Sequence, residues 1–162
     1  MYFRYLSLLA MCLVMPALHA AETITVKQVE QLLQETDRAA QTRDAAGIGR
    51  HLSSSFAKNI DVPDKNWLYR FTLGRDEYLE RIAKAWETLD DYTYQRDDTT
   101  IAIGPGGLSA ESRSTITEET TANGERTVSR VREYAKYALE DGRPVITAIE
   151  SFDLVPDPRA AR

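Results

Sequence analysis

Residues 92–155 read YTYQRDDTTIAIGPGGLSAESRSTITEETTANGERTVSRVREYAKYALEDGRPVITAIESFDLV, and the turns within this stretch decide the fold. Asn123-Gly124 and Asp141-Gly142 are two-residue turn signals, each flanked by strand-like sequence, so each predicts a tight antiparallel hairpin. Such a turn fixes which residues face one another. Because side chains alternate with period two, it also fixes which of them share a face. The first turn predicts Glu118 opposite Ser129, Ile116 opposite Val131, Ser114 opposite Glu133 and Ser112 opposite Ala135. The second predicts Val131 opposite Phe152, Glu133 opposite Glu150, Ala135 opposite Ala148 and Tyr137 opposite Ile146.

That face is apolar above and below one polar band. With Gly104-Pro105-Gly106-Gly107 as a plain four-residue loop, Asp97 falls beside Ser114, and the band reads Asp97, Ser114, Glu133, Glu150 across four strands. On the opposite face the same registers pair Glu111 with Lys136 and Arg130 with Asp153, and place Arg113, Tyr134 and Ile149 in one row. Opposite charges directly across strands suit a solvated face. Two carboxylates on an apolar face are costly unless paired, protonated or used. Glu133 and Glu150 are therefore the catalytic candidates: at cross-strand distance one would stay protonated as an acid while its ionised neighbour served as a base. The structural alternative is an arginine, from Arg50, Arg70 or Arg81, neutralising both.

Upstream, Thr25-Val26-Lys27-Gln28 has the form of a capping box, and Val29, Leu32, Leu33, Ala39 and Ala40 form one apolar stripe to about Thr42. Asp37 and Arg38 fall on the exposed side of this helix. Asp44 can cap a short second helix carrying Ile48 and Leu52 inward, weakened by Gly47 and Gly49 and broken by Ser53-Ser54-Ser55. Phe56 to Val62 reads as a strand. Trp67, Tyr69 and Phe71 alternate with Leu68, Arg70 and Thr72 as a second strand or ordered aromatic loop. A third helix follows Gly74, with Tyr78, Leu79, Ile82, Trp86 and Leu89 inward. Helices followed by a long meander make an α+β pattern. Strands of roughly 40 Å twist and curl, so a cone-shaped curled antiparallel sheet packed on three N-terminal helices is expected.

This element order, with a helix opening Gly74-Arg75-Asp76-Glu77-Tyr78-Leu79, resembles the nuclear-transport-factor-2-like superfamily, and within it the SnoaL-like small bacterial proteins. The resemblance covers nearly all of residues 21–155 and implies one domain with an internal cleft. It also implies a wide choice of roles, from ketosteroid isomerase, dehydratases and polyketide cyclases to binding modules without activity. The isomerase carries its catalytic aspartate at the end of the first strand, immediately before a proline. Here that position in Ile60-Asp61-Val62-Pro63 is Val62, and Asp61 is one residue early, so that mechanism does not transfer.

Residues 1–20 have the form of a signal peptide: Arg4, an apolar run from Tyr5 to Leu18, and Leu18-His19-Ala20 before a cleavage point. The run is shorter than the about 20 residues a membrane helix needs, so export to the periplasm without stable membrane insertion is expected. Removing it takes the only cysteine, Cys12, so packing alone must stabilise the rest. It also removes one positive charge from a net −5, and a mildly acidic surface argues against nucleic acid as a partner. Residues 156–162 hold two prolines and no apolar pattern, and are expected to be a disordered tail.

The function these residues support is binding of a small molecule in a partly apolar cleft lined by Trp67, Tyr69, Asp97, Ser114, Tyr137 and Phe152. Two alternatives remain open: a cofactor-independent proton-transfer enzyme of isomerase, dehydratase or cyclase type, and an interaction domain forming a homodimer through the outer sheet face. No motif calls for a cofactor or metal, and His51, the one histidine beyond the leader, is a helix-end residue unable to build a zinc site alone.

Overall fold

The computed structural model describes residues 23–64 and 67–154, without side-chain detail for residues 62–69. The expected leader and tail lie outside the described residues, as do the side chains of Trp67 and Tyr69. Helix α1 (Val26–Gln41) starts at the capping box. The Thr25 backbone N–H donates to Gln28 Oε1 at 2.8 Å, and the Gln28 N–H donates to Thr25 Oγ1 at 3.3 Å. Such a cap contributes about 1 kcal/mol. Val29, Leu32, Leu33, Thr36, Ala39 and Ala40 form the buried stripe; the Thr36 hydroxyl is satisfied by donating to Leu33 O at 2.9 Å. Asp44 caps α2 (Ala45–Gly49), accepting from the Gly47 N–H at 2.7 Å. Gly47 is required by that cap, because a Cβ there would collide with Asp44 and Ala39. Helix α3 (Arg75–Glu87) packs Tyr78, Leu79, Ile82 and Trp86 against the core.

Six strands follow the order β2-β1-β6-β5-β4-β3, where β1 is Leu52–Asp64, β2 Trp67–Gly74, β3 Asp91–Ile103, β4 Ser109–Ala122, β5 Glu125–Glu140 and β6 Arg143–Asp153. The sheet is curled and unclosed, with the three helices against its inner face. It is mixed rather than wholly antiparallel. The chain leaves β1 through β2 and α3, and β6 returns beside β1 in the same direction. Strand β1 also begins before Phe56: Ser53 is fully buried in it, with its hydroxyl on Glu140 Oε1 at 2.5 Å, so the serine run continues the chain as strand.

Both tight turns have positive φ at their two central residues, 52° and 79° at Asn123-Gly124 and 49° and 75° at Asp141-Gly142, which identifies the hairpin type with the twist of the flanking strands. The β4–β5 register places Glu118, Ile116, Ser114 and Ser112 opposite Ser129, Val131, Glu133 and Ala135, as predicted. The β5–β6 register holds only to Tyr137 opposite Ile146. Thr147 is an extra residue in β6, its hydroxyl donating to Lys136 O at 3.2 Å, and beyond it every predicted pair slips by one. Glu133 faces Ser151, Tyr134 faces Glu150, Arg132 faces Phe152 and Val131 faces Asp153. Ile149 consequently turns inward, 6% exposed, while Glu150 and Phe152 turn outward.

A second slip occurs in β3. Ile103 pairs with Ala110, so the glycine-rich turn is wider than four residues, and an extra residue lies between Asp97 and Thr100, where Asp98 has φ 50°. The wider turn preserves facing, and the single extra residue reverses it. Asp97 therefore lies opposite Thr115 on the outer face, and Arg96 lies opposite Ile116 on the inner one. Of the two predicted outer charge pairs, Glu111 does face Lys136, whereas Asp153 is not opposite Arg130.

Candidate functional site

Helices α1 and α3 and the inner sheet face enclose a cavity of ≈ 330 Å³. Its walls come from Leu33, Ile82, Trp86, Ile116, Ile146 and Ile149. Its polar side comes from Lys58, Tyr78, Tyr94, Arg96, Glu133 and Ser151. The bulge in β3 aims Arg96 into the protein, where its side chain is only 9% exposed. All three guanidinium nitrogens are engaged: Nε with Asp37 at 2.9 Å, Nη1 with Glu133 at 2.9 Å and Nη2 with the Tyr94 hydroxyl at 2.8 Å. Burial alone would make Arg96 easier to deprotonate, but Glu133, Tyr94 and Asp37 together hold it above its ordinary range. Burial outweighs Arg96 at Asp37 and pushes that carboxyl up.

Lys58 enters the same cavity from β1. Among the described residues, only the Ser151 hydroxyl accepts a hydrogen bond from it, at 2.6 Å; Glu133 Oε2 is at 4.0 Å. Burial lowers the ammonium below its usual range, against the pull of Glu133 and Glu118. Tyr78 and Tyr94 are pushed well above the usual phenol range by burial, so both present protonated hydroxyls. Tyr92 donates to Glu118 at 2.6 Å at the cavity edge. The site can thus offer apolar walls beside a lysine nitrogen with donors unused among the described residues, a carboxylate and protonated phenols.

Of the predicted catalytic pair, the structure brings only Glu133 into this cavity. Glu150 lies on the outer face, lining an open groove of ≈ 600 Å³ with Arg113, Tyr134, Lys136 and Phe152. An acid–base pairing of Glu133 with Glu150 is therefore not formed. Phe152 packs edge-on against Tyr134 at 5.7 Å in the outer groove, and Arg113 stacks over Tyr134 at 4.7 Å. Asp97 is likewise turned away from the cleft. Ser114 and Tyr137 do face inward but serve packing. Ser114 Oγ is 3.0 Å from Thr99 Oγ1, and the Tyr137 hydroxyl, pushed up to about 12 by burial, is 2.7 Å from Ser112 Oγ. Phe71 is 55% exposed.

The neutralising cation is Arg96 and not Arg50, Arg70 or Arg81, which pair with Asp44, Asp61 and Glu77 at 3.4, 2.7 and 2.9 Å. Asp61 is taken by Arg70 in a two-pronged contact. His51 lies 3.4 Å from Glu35, outside the cavity, and burial lowers its pKa. Sequence reasoning missed Lys58, Arg96 and Asp37. Lys58 was legible, since Phe56, Lys58 and Ile60 share one face of β1. Asp37 flanks the apolar stripe of α1, four residues after Leu33. No sequence signal marks the bulge that turns Arg96 inward.

No family model matches this sequence, and no curated protein is similar to it in sequence. Solved structures are similar in fold. An NTF2-like protein from Cytophaga hutchinsonii superposes with a TM-score of 0.63 at 12% identity, over 81% of this chain and 100% of that one. A putative scytalone dehydratase from Novosphingobium aromaticivorans gives 0.63 at 11% identity, over 80% and 83%. An uncharacterised protein with a cystatin-like fold from Caulobacter vibrioides gives 0.62 at 16% identity, over 83% and 93%. With three helices lying on the inner face of a curled, unclosed six-stranded sheet, this chain has the nuclear-transport-factor-2-like α+β fold.

Proposed function

We propose that this protein binds a small, largely apolar molecule in the inner cavity, with a polar end of that molecule directed at Lys58, Ser151 and Glu133. The observation that carries this reading is the cavity's lining, apolar walls with one cluster of charged groups at Lys58, Arg96 and Glu133. Its ≈ 330 Å³ falls within the roughly 300–1,000 Å³ of small-molecule sites. Arg96 is saturated by Asp37, Glu133 and Tyr94, so among the described residues Lys58 is the cavity cation with donors left for a ligand. The test is calorimetric titration with 3-phenylpropan-1-ol, whose ring matches the slot and whose hydroxyl matches the polar end. Saturable binding is expected, accompanied by a change in Trp86 emission. Ala85→Phe, at an exposed position on the cavity lining, should weaken binding about tenfold by narrowing the opening. Absence of saturable binding would overturn the reading.

A second reading, cofactor-independent proton transfer, draws on the 4.0 Å approach of Lys58 and Glu133, which puts a proton donor and an acceptor side by side against the cavity. The putative dehydratase among the structural neighbours belongs to the same fold. Release of a proton from an enolisable ketone by the wild-type protein, lost in Glu133→Gln, would favour this reading over binding alone.

A further inference from the structure

We infer that the cavity is built to take a carbonyl compound, an aldehyde or ketone with an apolar body, and that the Lys58 amine captures it covalently as an imine. This rests on the proposed cavity binding and names its ligand class. The groups facing Lys58 are Glu133 on β5, Glu118 on β4, Arg96 on β3 and Ser151 on β6, and Tyr78 on α3 lines the same cavity. Three carboxylates, Glu133, Glu118 and the Asp37 bonded to Arg96, oppose two cations there. An anionic ligand would add a fourth negative group to a site that already holds more carboxylates than cations, so a neutral acceptor is the better match. A carbonyl oxygen is such an acceptor, and the phenol of Tyr78 is a protonated donor able to meet it.

The amine has the environment that imine formation needs. It is nearly buried, 12% exposed, and bonded to a neutral hydroxyl, with the Glu133 carboxylate at 4.0 Å, beyond a hydrogen bond. Desolvation favours the neutral amine, the form that carries the lone pair. Arg96, held charged by its own partners, takes Oε1 of Glu133 at 2.9 Å, while Oε2 is the oxygen 4.0 Å from the amine.

In the step itself, the Nζ lone pair attacks the carbonyl carbon and the C=O π pair moves to oxygen. A proton passes from nitrogen to that oxygen, giving a carbinolamine. The nitrogen lone pair then forms C=N as the oxygen leaves with a second proton, as water. The products are one imine and one water, with no oxidant or reductant required. Once protonated, the iminium would sit beside the Glu133 carboxylate, which stabilises the positive charge as a counter-ion.

The experiment traps the imine. The intact protein is incubated near neutral pH with 3-phenylpropanal and sodium cyanoborohydride, with and without 3-phenylpropan-1-ol, and the modified lysines are mapped by peptide mass spectrometry. The alcohol has the same body but forms no imine. Lys58 should be modified at least about tenfold faster than the exposed Lys27, Lys84 and Lys136, because its amine is desolvated and theirs are not. The alcohol should slow Lys58 alone. The comparison is internal to the wild-type protein, so no variant has to fold. Lys58→Met, if folded, should lose the fast label only. If the alcohol binds by calorimetry while Lys58 reacts no faster than the surface lysines, the imine falls and the binding site stands. Fast labelling of Lys58 that the alcohol does not slow also overturns the inference, because the reaction would not be in the cavity. If the alcohol does not bind and Lys58 is slow, both readings fall.

Discussion

The β4–β5 and β5–β6 hairpins share a strand and a turn type, yet one obeys its turn for its whole length and the other for a few residues. From Asn123-Gly124, β4 and β5 pair without interruption to Ser109 opposite Ala138. From Asp141-Gly142, β5 and β6 pair to Tyr137 opposite Ile146, and Thr147 then reverses the facing of the rest of β6. A tight turn therefore dictates which side chains share a face only as far as the first bulge. Here the bulges settle the chemistry. The slip in β6 removes Glu150 and Phe152 from the cavity and brings in Ser151 and Ile149, while the slip in β3 removes Asp97 and brings in Arg96. Two single-residue insertions convert an acid-rich band into a balanced network.

Inserting one alanine after Thr147 is the most direct way to break that contrast. With the bulge retained, the added residue moves the rest of β6 by one, so Ile149 would turn to solvent and Glu150 would turn in against Glu133. The first loses about 2 kcal/mol of burial, and the second adds a buried like charge costing about 3 kcal/mol. A loss of about 5 kcal/mol or failure to fold is expected, measured by urea denaturation of the insertion variant. A loss below about 1 kcal/mol would mean that the strand can place its slip elsewhere and that Thr147 does not set the register.

Arg96→Met tests the second bulge. The substitution leaves Glu133 and Asp37 buried without the guanidinium that joins them. Removing one partner from a buried network costs about 3–5 kcal/mol, and that is the expected drop in unfolding free energy. A near-neutral result would show that Lys58 alone can compensate Glu133.

These two residues also mark the limit of what could be read from sequence. The caps at Thr25 and Asp44, the stripe of α1, both hairpin turns and the 14-pair β4–β5 register follow from local chemistry and period-two alternation, and the structure has them. Glu133 was placed correctly because it is tied to β4, where nothing interrupts the count. Glu150 was misplaced because a bulge is a tertiary accommodation to sheet curl, and Thr147 is an ordinary strand residue with no local feature of a break. The parallel β1–β6 contact, which brings Lys58 beside Ser151, depends on residues about ninety apart in sequence and on no turn at all. Alternation from Phe56 is enough to put Lys58 on the inner face of β1, but only the crossover gives that face its partner.

The mildest perturbation separates the two glutamates that the unbulged register would have made equivalent. Glu133→Gln keeps the shape but turns a charge-assisted hydrogen bond from Arg96 into a neutral one, and a buried bond to a charged group is worth about 1.5–3 kcal/mol. Part of that is recovered, because Arg96 retains Asp37 and Tyr94, so a loss near about 2 kcal/mol is expected. Glu150→Gln changes a half-exposed residue at the outer groove, beside Tyr134 and with Arg113 already stacked on that ring, and should alter stability by no more than about 0.5 kcal/mol. The two unfolding free energies, taken under one condition, compare the faces directly. Equal effects would contradict the outward turn of Glu150. A loss confined to Glu133→Gln would place the carboxylate of that position in the Arg96 network, and Glu150 among the ordinary charges of a solvated face.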